Sequence, residues 1–189
     1  MKNREKWFEV VQELRVDSAR KQKRGLHFII TSVFIWVAIF VIHSTNMPIL
    51  TKNFFTLCCS APLMPLALLV SKIIKVDFQN KGNPLTNLGI IFSVNQMLYI
   101  LIAMWIYAGV PDKMVMVYGM IFGAHLLPYG WLYQSKTYYI FAVMISIVVL
   151  GVGIYYPANV VAGLMIAIEV VFCICLILEV QKDKEKGAR

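Results

Sequence analysis

The sequence is short of charge. Only 15% of its 189 residues are Asp, Glu, Lys or Arg, whereas 59% are hydrophobic and the mean hydropathy is +0.70. Soluble globular domains carry about 25% charged residues. The composition therefore excludes a water-soluble domain and indicates an integral membrane protein, for which the useful count is the number of spans of about 20 apolar residues.

Catalytic and nucleotide-binding motifs are also missing. The chain has no G-x-S-x-G, no H-E-x-x-H, no Walker A sequence and no G-x-G-x-x-G following a strand. His27 and His43 lie at opposite ends of the first apolar run, so the two cannot join His125 around one metal ion. We therefore predict no enzyme activity, no metal site and no cofactor.

Cysteine is scarce and its spacing fits no known framework. The four cysteines form an adjacent pair, Cys58 and Cys59, and a second group, Cys173 and Cys175. All four fall in apolar runs and none has zinc-finger or haem-attachment spacing. We interpret them as small packing residues and not as disulfides.

Long apolar runs are what the sequence has in abundance. They cover residues 26–43, 53–74, 88–110, 114–133, 137–156 and 159–180, separated by short breaks that contain Pro, Gly, Asn or Lys. Breaks this short make neighbouring spans antiparallel. The sequence thus predicts an all-α fold, an integral membrane six-helix bundle over residues 25–180. Within the fourth run, Gly119 and Gly123 have the GxxxG spacing that permits close helix approach.

Positive charge is distributed unevenly between the breaks. Sixteen of the 18 Lys and Arg residues fall in segment 1–24, in the second-to-third and fourth-to-fifth breaks, or in tail 181–189, leaving Lys52 and Lys113 for the other side. Because positive charge is retained on the cytoplasmic side, we predict that both termini are cytoplasmic and that the protein resides in a bacterial plasma membrane. The net charge of +8 is explained by this edge placement, and no nucleic-acid partner is predicted.

The segment before the first span is amphipathic. In residues 3–24, Trp7, Val10, Val11 and Leu14 recur at helical spacing among charged side chains and are followed by ARKQKRG. The pattern predicts an amphipathic helix on the cytoplasmic membrane surface, held partly by anionic lipid headgroups. A docking helix for a cytoplasmic partner is the alternative.

Polar residues interrupt the spans at one depth. His125 lies halfway through the fourth span, Glu169 halfway through the sixth, and Asn95, Gln96 and Tyr99 near the middle of the third. Pro62 and Pro65 release backbone carbonyls at a similar depth of the second, as Pro128 does in the fourth. Ionisable side chains inside a membrane almost always face the bundle interior and have a partner. We therefore predict that Glu169 and His125 pair in a mid-membrane pocket.

The pocket has two interpretations. In the first, Asn95, Gln96, Tyr99, His125, Tyr129 and Glu169 bind or transport a small ligand or protons; desolvation would leave Glu169 able to take up a proton. In the second, the protein is a non-transporting accessory, interaction or immunity protein, alone, as a homo-oligomer or with a partner membrane protein, and the polar residues only fix helix packing.

One stretch carries a resemblance. FGAHLLPYGWLYQSKTYYI, together with the preceding NQMLYILIAMWI, resembles a family of small multi-pass bacterial membrane proteins with no assigned function. The resemblance spans most of the chain after Arg24 and implies no reaction or ligand. By size and span count the chain is also similar to the substrate-binding components of energy-coupling-factor vitamin transporters, but their paired alanines are absent from residues 26–43, which contain only Ala38.

Overall fold

A computed structural model of the chain describes residues 2–187, with side chains described from residue 5 onward except at Met97, Lys184, Lys186 and Gly187. Over this range the protein is all-α and has no strand. The helices are α1 (Lys2–Lys21), α2 (Leu26–His43), α3 (Ile49–Ser60), α4 (Leu63–Ile73), α5 (Leu85–Gly109), α6 (Met114–His125), α7 (Leu127–Leu132), α8 (Lys136–Tyr155) and α9 (Ala158–Gly187).

Five helical segments are long and apolar enough to cross a membrane: Lys23–His43, Leu85–Gly109, Pro111–Leu132, Lys136–Tyr155 and Ala158–Asp183. Helices α3 and α4 together are also long and apolar enough, but they are bent by 43° at the break between them; counting this pair as one span raises the number to six. Pro62 lies at this bend and cannot donate the backbone hydrogen bond that would continue α3. The described part of the chain therefore has five or six elements that are long and apolar enough to span a membrane, which indicates a membrane protein.

The helix ends lie close to the predicted ends, with three differences. The second predicted span, 53–74, begins earlier, at Ile49, and is divided into α3 and α4. The fourth predicted span, 114–133, is divided after His125, and Pro128 occupies the first turn of the short helix that follows. The sixth predicted span, 159–180, is the first part of a 30-residue helix, which at about 1.5 Å per residue is longer than the hydrocarbon layer. Residues 181–187 of the predicted tail therefore continue α9, and the tail's last two residues lie outside the described range.

The centre of the bundle is formed by α2 against α9, with α6 against α8 beside them. Trp36 and Ile39 of α2, Ile145 of α8 and Phe172 of α9 are all fully or almost fully buried. Close approach of α6 and α8 depends on small residues, as the GxxxG spacing predicts. A Cβ on Gly119 would stand 3.0 Å from Val149, and one on Gly123 would stand 2.7 Å from the Ser146 hydroxyl.

Most of the charged segments meet at one end of the bundle. The Arg24 guanidinium donates to both carboxylate oxygens of Asp183, at 2.8 and 3.0 Å, and lies 3.3 Å from Glu179. Lys23 donates to the carbonyl of Ile74, and Arg24 donates to that of Tyr133. We call this the basic end and define it as residues 17–25, 72–87, 133–137 and 179–183.

Helix α1 rests on the basic end by its second half only. Asn83 donates to the carbonyl of Leu14 at 2.7 Å and to Asp17 at 2.8 Å, and Arg15 stacks over the Trp131 ring at 4.5 Å. In its first half, by contrast, the Trp7 side chain is 71% exposed. The helix predicted over residues 3–24 is thus present, and an apolar side chain near its start is left free of the bundle.

Candidate functional site

Glu169 is the most deeply placed acidic group of the described chain. It is fully buried on α9. Its Oε2 atom is hydrogen bonded to the hydroxyl of Ser32 on α2, whereas its Oε1 atom makes no hydrogen bond of good geometry, although the Trp36 indole lies beside the carboxyl group. A buried polar atom without a partner is costly and marks a place where a water, a proton or a ligand group can bind.

Ser32 gives this carboxyl group two bonding arrangements. Its Oγ is also within 2.9 Å of the carbonyl of Ile29, but a hydroxyl has a single hydrogen to donate. With an ionised carboxylate, Ser32 donates to Glu169. When the carboxyl group is protonated, its O–H donates to Ser32 Oγ, and the Ser32 hydroxyl donates to the carbonyl of Ile29 instead. The contact therefore suits either protonation state of Glu169.

A cavity of about 50 Å³ lies next to Ser32. Its polar lining includes three predicted site residues, Gln96, His125 and Tyr129, as well as Ser93. A single water needs about 10–15 Å³ by this measure, so the cavity has room for a few waters or for one polar group of a ligand. Four helices (α2, α5, α6 and α7) thus bring their polar side chains to one small space, which Ser32 connects to Glu169.

His125 ends α6, immediately before the break at Leu126. Its ring packs edge-on against Phe122 and Tyr129, with centroids 5.2 and 6.1 Å apart. Its Nδ1 atom is buried and has no hydrogen-bond partner. No direct hydrogen bond joins His125 to Glu169: His125 lines the cavity, whereas Glu169 is not a lining residue and is bonded to Ser32. That the two side chains belong to one site stays a prediction.

Tyr129 ties the short helix α7 to α5. Its hydroxyl lies 2.7 Å from Ser93 Oγ and 3.2 Å from the carbonyl of Gly89. The aromatic face of Tyr129 stacks on Tyr133 at a centroid distance of 5.9 Å. Tyr129 is therefore both a lining residue and the side chain that fixes the distance between α5 and α7 at the cavity.

A second, larger cavity of about 380 Å³ adjoins the first. The two share Leu63, Gln96 and Phe122 as lining residues. Apart from Gln96, its polar groups are Ser60 and Tyr118, and the remaining lining is aliphatic or aromatic. Volumes of about 300 to 1,000 Å³ with mostly apolar walls and few polar groups are typical of small-molecule sites.

Two predicted site residues lie apart from both cavities. Asn95 is exposed, and its amide donates to the hydroxyl of Tyr99 at 2.9 Å, one turn along the same helix. Neither side chain is among the lining residues of the two cavities. Adjacent positions on a helix point about 100° apart, so Gln96 reaches the cavities while its neighbour Asn95 does not.

Sequence reasoning missed Ser32, Ser93 and Tyr118. Serine in an apolar span gives little signal, because its hydroxyl is usually satisfied by the carbonyl three or four residues earlier. Ser93 does bond in this way, to Gly89 at 3.1 Å. No sequence signal distinguishes these hydroxyls from ordinary packing residues.

The four cysteines are free thiols, two of them on α3 and two on α9. No group of three or more His, Cys, Asp or Glu side chains close enough to hold a metal ion is found among the described residues. The polar chemistry of the site is therefore that of hydroxyl, amide, imidazole and carboxyl groups.

A family model described as a family of unknown function, DUF7010, matches residues 11–179, and the chain belongs to this family. The resemblance to a family without an assigned function is thereby confirmed. No curated protein and no solved structure matches the chain. The site must accordingly be interpreted from its own geometry.

Proposed function

We propose that the protein binds a small, largely apolar molecule in the two adjoining cavities and exchanges a proton with it through Glu169. The observation that carries the proposal is the position of Ser32. This hydroxyl bonds to a fully buried carboxyl group and at the same time lines a cavity that Gln96, His125 and Tyr129 also line. A buried carboxyl group that is connected to a polar cavity through a hydroxyl can exchange a proton with a molecule in that cavity.

The side chains that line the two cavities indicate what kind of molecule would fit. The larger cavity offers apolar walls with Ser60, Gln96 and Tyr118 as polar contacts, whereas the smaller one is bordered by hydroxyl and imidazole groups. A ligand with an apolar body of a few rings or a short chain, and one hydrogen-bonding or ionisable end directed at His125, matches this division.

The proposed setting is a bacterial plasma membrane with the basic end in the cytoplasm. Arg24 and Lys21 belong to that end, whereas Lys113 lies at the opposite end and donates at 2.8 Å to the carbonyls of Gly153 and Ile154. Exposed Trp7 would enter the headgroup region beside anionic lipids. Single cysteines placed at positions 113 and 136 test this arrangement, since a membrane-impermeant thiol reagent should reach only position 113 from outside.

The competing interpretation is a non-transporting accessory or interaction protein, alone or with a membrane partner. One observation favours it: the Ser32–Glu169 bond joins α2 to α9, the two helices at the centre of the bundle. Interhelical hydrogen bonds in membranes stabilise packing by about 0.6 kcal/mol on average. A carboxyl group with only this role need not change its protonation at any physiological pH.

Trp36 provides a reporter that separates the two interpretations. Its indole is almost fully buried and is a side-chain neighbour of the Glu169 carboxyl group. In a variant with Trp7, Trp105 and Trp131 replaced by Phe, only Trp36 fluoresces. We expect the Trp36 emission to titrate with pH and Glu169→Gln to abolish that titration. The melting temperature of this variant should change little, because the Gln amide has nearly the same shape as the carboxyl group that it replaces.

Asn95→Leu serves as the control, because Asn95 is exposed and bonds only within its own helix. It should leave the Trp36 titration unchanged. His125→Gln should shift the midpoint, since it replaces a titratable ring beside the cavity. Identical titrations in the reporter protein, the Glu169→Gln variant and the His125→Gln variant would reject proton exchange and leave the packing role.

A further inference from the structure

His27 is a second buried histidine, and the proposed pocket does not use it. It lies in the first turn of α2 at the basic end and is only 2% exposed. Neither of its ring nitrogens has a hydrogen-bond partner among the described residues. Its ring packs beside Phe28 and Phe78, with centroids 4.4 and 5.3 Å away. An imidazole buried in this way needs a partner that the protein itself does not supply.

A cavity of about 40 Å³ lies beside His27. Its polar lining comes from five side chains on four segments: Gln22, Thr86, Ser93, Tyr129 and Tyr133. At about 10–15 Å³ per water the cavity has room for about three, each with several hydroxyl or amide groups in reach. The unpartnered imidazole and the polar walls both indicate that this cavity is hydrated.

The His27 cavity and the His125 cavity lie next to one another. Ser93, Tyr129 and Tyr133 line both, together with Phe28 and Met64. The 2.7 Å contact between Ser93 Oγ and the Tyr129 hydroxyl therefore lies at the boundary, and both hydroxyls also lie within 3.2 Å of the Gly89 carbonyl. The polar groups that line the two cavities thus extend from His27 past Ser93 and Tyr129 to His125 and Ser32, and cavity waters would be needed to join them into a continuous chain.

We propose that His27 is the entry to a hydrated proton path that connects the basic end of the protein with Glu169. The proposal rests on the proposed function, because a path to Glu169 has a use only if Glu169 exchanges its proton. It adds to that function the side of the membrane from which the proton comes and the residue that admits it.

The transfer at His27 conserves protons and needs no other reactant. Both ring nitrogens are buried, so the proton must reach one of them through a cavity water on the side of Gln22 and Thr86, while the other nitrogen releases its own proton to a cavity water on the side of Tyr129. The imidazole ends neutral, as the opposite tautomer, and returns to its first tautomer by a ring flip or by the reverse transfer. The released proton passes along water and hydroxyl groups, each of which gives up one proton as it receives another.

The neighbouring groups do not offer an equivalent entry. Tyr129 and Tyr133 are the titratable side chains that share the cavity with His27, and Tyr133 donates to Gln22 at 3.0 Å. The nearby cations are engaged elsewhere, Lys23 with the Ile74 carbonyl and Arg24 with Asp183 and Glu179. Around Glu169 itself, Tyr118 and Cys173 are the titratable neighbours.

The test measures how fast Glu169 responds to a pH jump. The reporter protein with Trp36 as its single tryptophan is reconstituted in lipid vesicles, and its orientation is determined by labelling a cysteine placed at position 113. With unmodified His27, Trp36 should respond quickly when the pH changes at the basic end and slowly when it changes at the opposite end. This comparison requires no substitution along the path.

Variants then assign the entry to His27. His27→Gln can still bind water but cannot pass a proton through its ring, so it should slow the response by about 10-fold or more while leaving its final amplitude unchanged. His43→Gln is the matched control. His43 is also a buried histidine on α2, but it lies at the opposite end and is paired with Thr56 at 3.0 Å. Its substitution should leave the rate unaltered.

The outcomes separate this proposal from the proposed function. A pH response that Glu169→Gln abolishes, but whose rate is the same in His27→Gln or follows the opposite end, would overturn the path and leave the pocket intact. Absence of any Trp36 titration would overturn both. If His27→Gln does not fold, His27→Asn and the sidedness measurement decide the question.

Discussion

Helices α2 and α5 are both long, apolar and capable of crossing a membrane, yet they are embedded very differently. Half of the most apolar stretch of α2 is buried inside the protein, against 6% in α5. Among the described residues, α2 packs mainly against α9, α4 and α3, whereas the main helical neighbours of α5 are α6, α7 and α1. Most of α5 is therefore exposed on the outside of the bundle, and few protein contacts fix its position.

This difference gives the candidate site two kinds of border. The firm wall consists of the central helices α2 and α9 with α6 and α8 packed beside them, and the weak wall consists of α5. Ser32 and Glu169 lie between the central helices, where packing holds them in register. Both cavities are closed on the other side by α5, through Gln96 in each case. We expect α5 to be the element that moves when a ligand enters, because locally weak packing lowers the free energy of opening.

The largest effect is expected from breaking the firm wall at Gly123. In Gly123→Val the new side chain meets the Ser146 hydroxyl at 2.7 Å and Ile145 at 2.9 Å, counting only its Cβ. Such overpacking destabilises proteins by about 1 to 3 kcal/mol. Reversible unfolding in mixed micelles measures this change in the free energy of unfolding.

Gly151→Val on α8 is the control, because a Cβ at Gly151 has no atom within 4 Å. Its free energy of unfolding should stay close to that of the unmodified protein. Equal losses in the two variants would mean that α6 and α8 are not in close contact, and the contrast between firm and weak walls would lose its basis.

A smaller effect should distinguish the two walls through matched serines. Ser32→Ala leaves Glu169 Oε2 without its hydroxyl partner inside the firm wall, and an unsatisfied buried group costs about 1 to 3 kcal/mol. Ser93→Ala removes from α5 the hydroxyl that bonds to Tyr129 of α7, but Tyr129 keeps its contact with the Gly89 carbonyl. The second loss should be near the membrane average of about 0.6 kcal/mol.

The same unfolding assay compares the two variants side by side, with Ser146→Ala as a further hydroxyl deletion away from both cavities. A larger loss in Ser93→Ala than in Ser32→Ala would reverse the assignment and make α5 the more firmly held helix.

The sequence was a good guide to the spans and a poorer guide to the site. Apolar runs and their breaks place helix ends to within a few residues, because the cost of unpaired backbone groups in lipid allows little else. Depth along a span can also be read from the sequence, and it is the reason why Glu169 and His125 are placed in one site, which stays a prediction. Which neighbour each one faces depends on the rotation of the helices, and the sequence does not specify it.

Asn95 and His27 illustrate this limit in opposite ways: Asn95 was predicted to line the pocket and does not, whereas His27 was not predicted and lies beside a cavity. Asn95 was predicted for the pocket by depth, but its helix turns it away, toward Tyr99. His27 was set aside because it lies at the end of a span, yet folding buries it beside a polar cavity. The surroundings of His27 are decided largely by segments distant in sequence, here those that contribute Thr86 and Tyr133 to the cavity.

The smallest effect concerns the attachment of α5 at its N-terminal end. Asp17 of α1 accepts hydrogen bonds from Asn80 at 2.9 Å and Asn83 at 2.8 Å, just before α5 begins, and pairs with Lys21 at 2.8 Å. Burial alone would raise the pKa of the Asp17 carboxyl group, but these bonds outweigh it and lower the pKa to about 2. The stabilisation is therefore fully present above the ordinary pKa of 3.8 and is lost as the pH falls through 2. Because the side chain is 34% exposed, solvent screening should keep the contribution below about 1 kcal/mol.

Asp17→Asn should remove the pH dependence of unfolding in this window, whereas Glu13→Gln, at an exposed position of the same helix, should retain it. Hydrogen exchange measured alongside should increase more in the first turns of α5 than in α2 as the acid is added, and equal increases in the two helices would show that Asp17 does not anchor α5.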